Sequence, residues 1–350
     1  MDIIASLNLQ LIGELNKEGK NSSVYVMRDT QLNTELVVKV VLKSEFLNSN
    51  EYFNEAAILY DVQHENIVKI QHATEIKDYV LFSMPFYKKG SLESIINSKY
   101  LSVKEIIQYS LDFLNGLHYV HTKGLIHFDI KPTNILIHDC GKALLTDFGL
   151  SKYVDAFGLS SPDKIYPIHY PPEMIQGNLM SNKADIYQAG MTLYRMCNGN
   201  ENFYLQVSKY KTIDEFKHAV LNGKFPDRKY FLPHIPNKLR SIIKKAISTS
   251  PDNRYRTALD MINDLSAIDK NLNISYSYNK NTCSYEWVIP SSNTHNNCII
   301  LNKTVNTYSI IAQKVRILDN KRSTIHRLCS DGYSKMYDAF KQVERIFNDQ

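Results

Sequence analysis

Asp129, Lys131 and Asn134 place a carboxylate, an ammonium and a carboxamide within five positions of one another. They lie in the run Ile126-His127-Phe128-Asp129-Ile130-Lys131-Pro132-Thr133-Asn134. A second acidic group follows across a short hairpin-like segment, in Asp147-Phe148-Gly149. Two carboxylates held close repel by a few kcal/mol at an effective dielectric of about 20, so the pair makes sense around a divalent cation. Mg²⁺ takes hard oxygen ligands and keeps water and phosphate in its shell, and Asn134 and Asp147 offer such oxygens. Asp129 can accept a hydrogen bond from an incoming hydroxyl, and Lys131 can balance charge on a transferring phosphoryl group. Phosphoryl transfer is mostly positioning and charge neutralisation, and this set supplies both.

Other elements must hold these groups in place. Residues 8–43 read as three strands, with β-branched runs at Val24-Tyr25-Val26-Met27 and Leu36–Leu42. Between the first two lies Gly13–Ser23, whose glycines and small residues let backbone N–H groups approach phosphate. Lys39 interrupts an apolar strand, and a buried ammonium needs a partner. Glu55, in an amphipathic helix over 51–60, is placed to be that partner. Two further strands, 66–70 and 78–84, complete a five-stranded antiparallel sheet with one helix. The breaker-rich segment Pro85–Leu92 reads as a hinge. From Ser102 the pattern is helical, with Val103, Ile106, Phe113, Leu117 and Val120 on one stripe and Gly124 at its end. Further helices are expected at roughly 183–198, 212–222, 236–248 and 257–269. Residues 150–170 read as irregular, with Ser160-Ser161-Pro162-Asp163 as a loop tip.

Bulk properties narrow the classes. Of 350 residues, 43% are apolar and 22% charged, which suits a soluble chain with a real core. The formal net charge of +5 is mild for a nucleic-acid binder. The five cysteines are widely spaced with no CxxC pair, which argues against a zinc site or a disulfide framework and for a reducing cytoplasm. No long apolar run and no basic leader are present, so neither a membrane span nor a signal peptide is expected.

The ordered set of motifs resembles the eukaryotic-type (Hanks-type) Ser/Thr protein kinase family over residues 8–269. Val37-Val38-Lys39 resembles the strand lysine motif, and Glu55 the glutamate of the helix that follows. His127 through Asn134 resembles the catalytic loop, and Asp147-Phe148-Gly149 the metal motif. Pro171-Pro172-Glu173 resembles the end of the activation segment. Asp185-Ile186-Tyr187-Gln188-Ala189-Gly190 resembles the signature of a central helix, and Arg254 the arginine that pairs with that glutamate. The resemblance implies an α+β bilobal kinase fold over 1–270, with an N-lobe to about 84, a hinge at 85–90 and a helical C-lobe from 91. It implies ATP and Mg²⁺ as cofactors and a protein substrate whose identity is open. Lys39, held by Glu55, would contact the α- and β-phosphates. Asp129 would be the catalytic base, Lys131 would stabilise the γ-phosphate, and Asn134 and Asp147 would bind Mg²⁺. Gly13, Gly19 and Val24 would belong to the nucleotide cradle. Met84 would stand at the gatekeeper position, and Pro85 and Tyr87 would offer backbone groups to adenine. Asp185 would anchor the catalytic loop, and His127 would be structural.

Three departures qualify the resemblance. Phe128 replaces the arginine that normally receives an activation-loop phosphate, so activity is expected not to depend on phosphorylation at Ser151, Ser160 or Ser161. Lys17 and Ser22 stand where the first and last glycines of the phosphate loop are usual, with Gly19 keeping the middle place. Tyr166–Tyr170 lacks the usual Gly-Thr, so Lys131 favours Ser/Thr acceptors while dual specificity stays open.

Residues 271–350 fall outside the pattern and match no recognised family. Alternation at Tyr285–Ile289, Cys298–Leu301 and Thr307–Ala312, then a stripe from Tyr333 to Phe347, predicts a small β-β-β-α module, free or packed on the C-lobe. It carries ten Lys/Arg against six Asp/Glu, with Lys314, Arg316, Lys321, Arg322 and Arg327 clustered. A solvated face is the plain reading; a nucleic-acid or acidic-protein surface is the sharper one. The alternative for the whole chain is a pseudokinase or nucleotide-binding scaffold presenting this module to a partner. Composition fits a bacterial or phage-related member with a signalling or defence role, and oligomeric state is left open.

Overall fold

The computed structural model describes residues 7–15, 22–46, 49–162 and 167–348. Gly19 and Lys17, in the expected phosphate loop, and Asp163 and Tyr166 lie outside the described residues. Strands β1 (Leu9–Leu15), β2 (Ser22–Asp29) and β3 (Thr34–Leu42), helix α1 (Asn54–Asp61) and strands β4 (His72–Ile76) and β5 (Tyr79–Pro85) build the N-terminal lobe. The sheet is antiparallel in the order β1-β2-β3-β5-β4. The β-branched run of β3 takes the centre, where both edges are paired and Val37 and Val38 are buried.

The fourth strand is not where the periodicity put it. Asn66–Val68 makes only a bridge to the lower lobe, with Val68 N–H donating to Leu145 O at 2.9 Å and Leu145 N–H to Asn66 O at 2.8 Å. Its apolar run is continuous rather than alternating because Ile67 and Val68 are both buried. The strand proper is the polar, exposed His72–Ile76. The helix expected from residue 51 starts at Asn54, after a single 3₁₀ turn at Ser49–Glu51.

The C-terminal lobe comprises α2 (Leu92–Ser98), α3 (Val103–Thr122), β6 (Leu125–Ile126), β7 (Ile135–Ile137), β8 (Ala143–Leu145), β9 (Lys152–Tyr153), α4 (Pro172–Ile175), α5 (Lys183–Asn198), α6 (Asn200–Val207), α7 (Ile213–Leu221), α8 (Asn237–Ala246) and α9 (Ala258–Ser266). A capping box of Ser102 and Glu105 starts α3, and Gly124 at φ +71° ends it. All five residues of its expected stripe are fully buried. Gly116 lets this helix pass the Asn66 carbonyl: a Cβ there would sit 2.6 Å from that oxygen. Helix α5 is the axis of the lobe. It is buried all round from Ala184 to Asn198, and Gly190 allows α8 to approach so closely that a Cβ would meet Ala246 at 2.7 Å. A helix buried on every face must satisfy its own polar side chains internally, and α5 carries Asp185, Gln188 and Arg195. The short polar α6 had no counterpart in the periodicity.

After residue 271 the chain forms β10 (Ser275–Asn279), β11 (Ser284–Pro290), β12 (His295–Lys303), β13 (Tyr308–Arg316), β14 (Arg322–Thr324), β15 (Ser330–Tyr333) and α10 (Met336–Asn348). The expected three strands are six. β10 was hidden by its alternation of serine with tyrosine, and β14 and β15 are three- and four-residue pieces that pair with β13. In α10 Phe340, Val343 and Phe347 are buried as the stripe required, joined by Ala339 and Ile346, while Tyr337 is exposed. No helix among the described residues is long and apolar enough to cross a membrane.

Candidate active site

A cavity of about 370 Å³ lies between the lobes. Its apolar walls include Leu15, Val24, Val37, Leu59 and Leu136, and Met84 to Lys88 close one side. Lys39, Glu55, Asn134 and Asp147 bring charge and hydrogen-bonding groups to it. Val24, Met84, Pro85 and Tyr87, all expected at the nucleotide, are among the residues that line it, and Gly13 is not. Gly13 pairs with Val26 at a bulge in β1, with nothing within 4 Å of where a Cβ would stand, and Leu15, two residues on, lines the cavity. Leu136 also lines the cavity, and a local pattern points to it. In β7 the flanking Ile135 and Ile137 point into the C-lobe core, so the period of two aims Leu136 at the cleft.

Lys39 stands between two carboxylates. Its Nζ is 2.9 and 3.0 Å from the Glu55 oxygens and 3.2 Å from Asp147 Oδ1. Burial alone would push the ammonium toward its neutral form, but Asp147 and Glu55 outweigh it and hold the pKa above the ordinary lysine value. Lys39 in turn holds the Asp147 carboxyl below its ordinary range, against burial. For Glu55 burial is the larger effect and raises the pKa, with Lys39 opposing.

Asp129, Lys131 and Asn134 converge below. Lys131 Nζ is 2.9 Å from Asp129 Oδ2. Asn134 Nδ2 donates to Asp129 Oδ2 at 2.8 Å and to Asp129 O at 3.0 Å. Both partners are acceptors, so the amide orientation is fixed, and Oδ1, which also accepts from Thr133 Oγ1 at 3.3 Å, is the oxygen that can face a cation. Asn134 Oδ1 and the ionised Asp147 are a two-oxygen set that fits Mg²⁺, which fills the rest of its shell with phosphate and water.

The two motifs share an uncommon backbone. Phe128 and Asp147 have φ of +66° and +64°, in the left-handed region that non-glycine residues rarely enter. Asp185 holds the first, with His127 N–H donating to its Oδ2 at 2.8 Å and Phe128 N–H to its Oδ1 at 2.7 Å. His121 adds a contact to Asp185 at 2.8 Å that the motifs did not suggest. His127 is fully buried, its ring 4.7 Å from that of Phe148. Its Nδ1 accepts from Asp129 N–H at 3.2 Å, so its proton is on Nε2, facing Thr146 O at 3.2 Å. Burial lowers its pKa.

Phe128 is fully buried in an apolar cluster with Ile126, Met180 and Ala184, against which Leu150, Val154, Tyr170 and Met174 pack. Ser160 is not at a loop tip. Its N–H and C=O both bond to Met180 at 2.8 Å, and the turn is made instead around Asp155, with Phe157 exposed. Ser151 is buried and donates to His127 O at 3.3 Å, so its hydroxyl supports the catalytic loop and is not presented for modification. Glu173 and Arg254 form the expected pair, two parallel bonds of 2.7 Å.

The protein kinase domain family matches residues 9–264. Probable serine/threonine-protein kinase CPE1738 of Clostridium perfringens is 30% identical over 276 residues, which are 77% of this chain and 39% of that protein. Serine/threonine-protein kinase PrkC of Bacillus subtilis is 29% identical over 254 residues, 71% of this chain and 38% of its own length. Probable serine/threonine-protein kinase PknB of Lactococcus lactis is 27% identical over 263 residues, 73% and 41%. The chain thus spans about two fifths of the length of these curated relatives. The family match covers well over half of the chain and takes in both lobes and every group in the cleft, so this chain belongs to the protein kinase family.

Proposed function

We propose that this chain is an ATP- and Mg²⁺-dependent protein kinase that transfers the γ-phosphate to Ser/Thr hydroxyls of proteins. The observation that carries the reading is the Lys39–Glu55–Asp147 ion cluster facing Asp129, Lys131 and Asn134 across one cleft. ATP is the phosphate donor of this family, typically with Mg²⁺. Apolar residues from both lobes would enclose adenine, Tyr87 N–H serving it while the Tyr87 carbonyl is engaged by Gly90 N–H at 3.0 Å. Lys39 would meet the α- and β-phosphates. Asp129 would take the proton of the acceptor hydroxyl as its oxygen bonds to the γ-phosphorus and the bridging oxygen leaves with ADP. Lys131 would neutralise charge on the transferring group. Asn134 and Asp147 would hold Mg²⁺, whose charge stabilises the phosphate oxygens.

The same reading holds the activation segment ready without a phosphate, since Phe128 joins it to the catalytic loop through apolar contacts. Residues 1–270 would form the catalytic unit, with 271–350 as an accessory module.

The test is transfer of labelled phosphate from ATP to a generic protein or to the chain itself. Asp129→Asn and Lys39→Ala should each reduce transfer by more than about 10²-fold. Transfer unaffected by both would defeat the reading, and nucleotide binding without turnover in the wild type would favour the scaffold instead. Phosphoproteomics of cells expressing wild type against Asp129→Asn would name the acceptor residues and place the reaction in signalling or defence.

A further inference from the structure

The peptide groups around Asp129 have an almost complete hydrogen-bond account, and two of the side chains in it belong to none of the roles described so far. Gln188 sits one turn after Asp185 on the same face of α5 and is fully buried. Its Nε2 donates to Phe128 O at 2.7 Å, and its Oε1 accepts from Ile130 N–H at 3.0 Å. One carboxamide therefore grips the backbone on both sides of Asp129. The next carbonyl, Ile130 O, lies 3.0 Å from His169 Nδ1.

The protonation of His169 follows from its other neighbour. Arg195 Nη1 is 3.3 Å from His169 Nε2, and a guanidinium only donates. Nε2 is then the acceptor, the imidazole is neutral, and its proton is on Nδ1, donated to Ile130 O. Arg195 is itself fixed: it bonds Glu93 at 2.5 Å and Asn200 at 2.8 and 3.0 Å. A buried chain therefore runs from α2 through Arg195 and His169 to the peptide joining Ile130 to Lys131.

We propose that Gln188, seconded by His169, is a positioning residue for phosphoryl transfer: it clamps the strained peptide pair at 128–130 so that the Asp129 carboxylate is held toward the acceptor hydroxyl. The proposal rests on the kinase reading above. Phe128 explains why such a device is needed. Its φ of +66° is costly, and its side chain has no charge through which a modified activation segment could pull on the loop. Asp185 restrains the N–H groups of residues 127 and 128 but no group after Asp129. Gln188 and His169 supply those later restraints with neutral groups, which a buried helix tolerates because every polar atom used is paired.

Replacing the clamp should separate turnover from binding. Gln188→Met keeps length and volume but leaves Phe128 O and Ile130 N–H without their partner. It should lower kcat by about 10²-fold, the scale expected for a displacement near 1 Å, with KM for ATP within about twofold and the thermal shift on adding ATP retained. His169→Ala should lower kcat about tenfold. His169→Asn, whose amide nitrogen can take the place of Nδ1, should regain most of that loss. Hydrogen exchange gives a readout that does not need turnover: amides of residues 127–131 should exchange at least about tenfold faster in Gln188→Met, with α5 unchanged. The proposal is overturned if Gln188→Met binds ATP and turns over within twofold of wild type, or if its loop amides stay as protected as before. It is equally overturned if His169→Ala and His169→Asn fall together. A wild type without phosphate transfer would sink the kinase reading, and the exchange comparison would still decide the clamp.

Discussion

Glu173 and Arg254 show what a buried charge demands. The Arg254 side chain is fully buried, and its guanidinium meets Glu173 in a fork of two 2.7 Å bonds while also reaching Ser248 O and Lys183 O. Removing one partner of such a pair leaves the other charge in low dielectric, which costs about 3–5 kcal/mol. The carbonyls that remain around Arg254 place Glu173→Ala at the lower end, about 3 kcal/mol. Denaturant unfolding should show that loss, and Glu173→Ala combined with Arg254→Met should recover a clear part of it. A double variant no more stable than Glu173→Ala would mean that the carbonyls, and not the carboxylate, hold the arginine. The same rule made the cleft legible. Lys39 in an apolar strand had to have a carboxylate partner, and Glu55 and Asp147 both supply one.

At the scale of elements the activation segment carries the clearest consequence. Three sets of contacts hold it in place. β9 pairs with β6, Ser160 exchanges two backbone bonds with Met180, and Phe128 roots the segment in apolar contacts. Since Ser151 is buried, the hydroxyls to remove are those of Ser160 and Ser161. The pair Ser160→Ala and Ser161→Ala should leave kcat within about twofold of wild type, and phosphatase treatment should change it no more. A tenfold loss in either experiment would show that the segment needs a phosphate after all. How far the sequence foretold these elements depended on burial. Helix α3 and the core strands were legible because their apolar residues keep a period. Helix α5 was expected in place, yet the work of Gln188 was not, because a helix buried all round has no polar face to separate a solvated glutamine from a clamped one. Its partners lie 58 and 60 residues away, a separation no local pattern encodes. β4 was misplaced because the buried crossing at 66–68 is more apolar than the strand beside it. Gly13 is expected at the nucleotide by residue type, and the bulge in β1, which no local pattern announces, brings Leu15 to the cavity two residues on.

For the whole molecule, the decisive contact joins the C-lobe to the last 80 residues. Trp287 is fully buried, packed on Phe340 and Phe347 of α10, and its indole N–H donates to His234 Nδ1 at 3.1 Å. The His234 ring is stacked 5.6 Å from Tyr276, which meets Tyr100 edge-on at 4.6 Å, and Arg240 pairs with Glu344 at 2.8 Å. An indole only donates, so His234 is neutral with its proton on Nε2. Burial lowers its pKa to about 3, with the positive charge of Arg240 adding to the effect. The sign follows by linkage. Below the unfolded value of about 6.5 the unfolded chain takes up a proton that folded His234 refuses, so stability falls as pH drops from 6.5 toward 3. At pH 5.5 that one group costs about 1.4 kcal/mol relative to neutral pH. His127 and His169, both lowered by burial, act in the same direction, while Glu55, raised by burial, acts in the opposite one. His234→Asn isolates the junction, because its amide oxygen can still accept from Trp287 but does not titrate. Unfolding measured at pH 7.5 and 5.5 should give a pH-dependent loss smaller in His234→Asn than in wild type by about 1.4 kcal/mol. An equal loss in the two proteins would mean that His234 is protonated in the folded state and that acid does not act on stability through the junction between lobe and module.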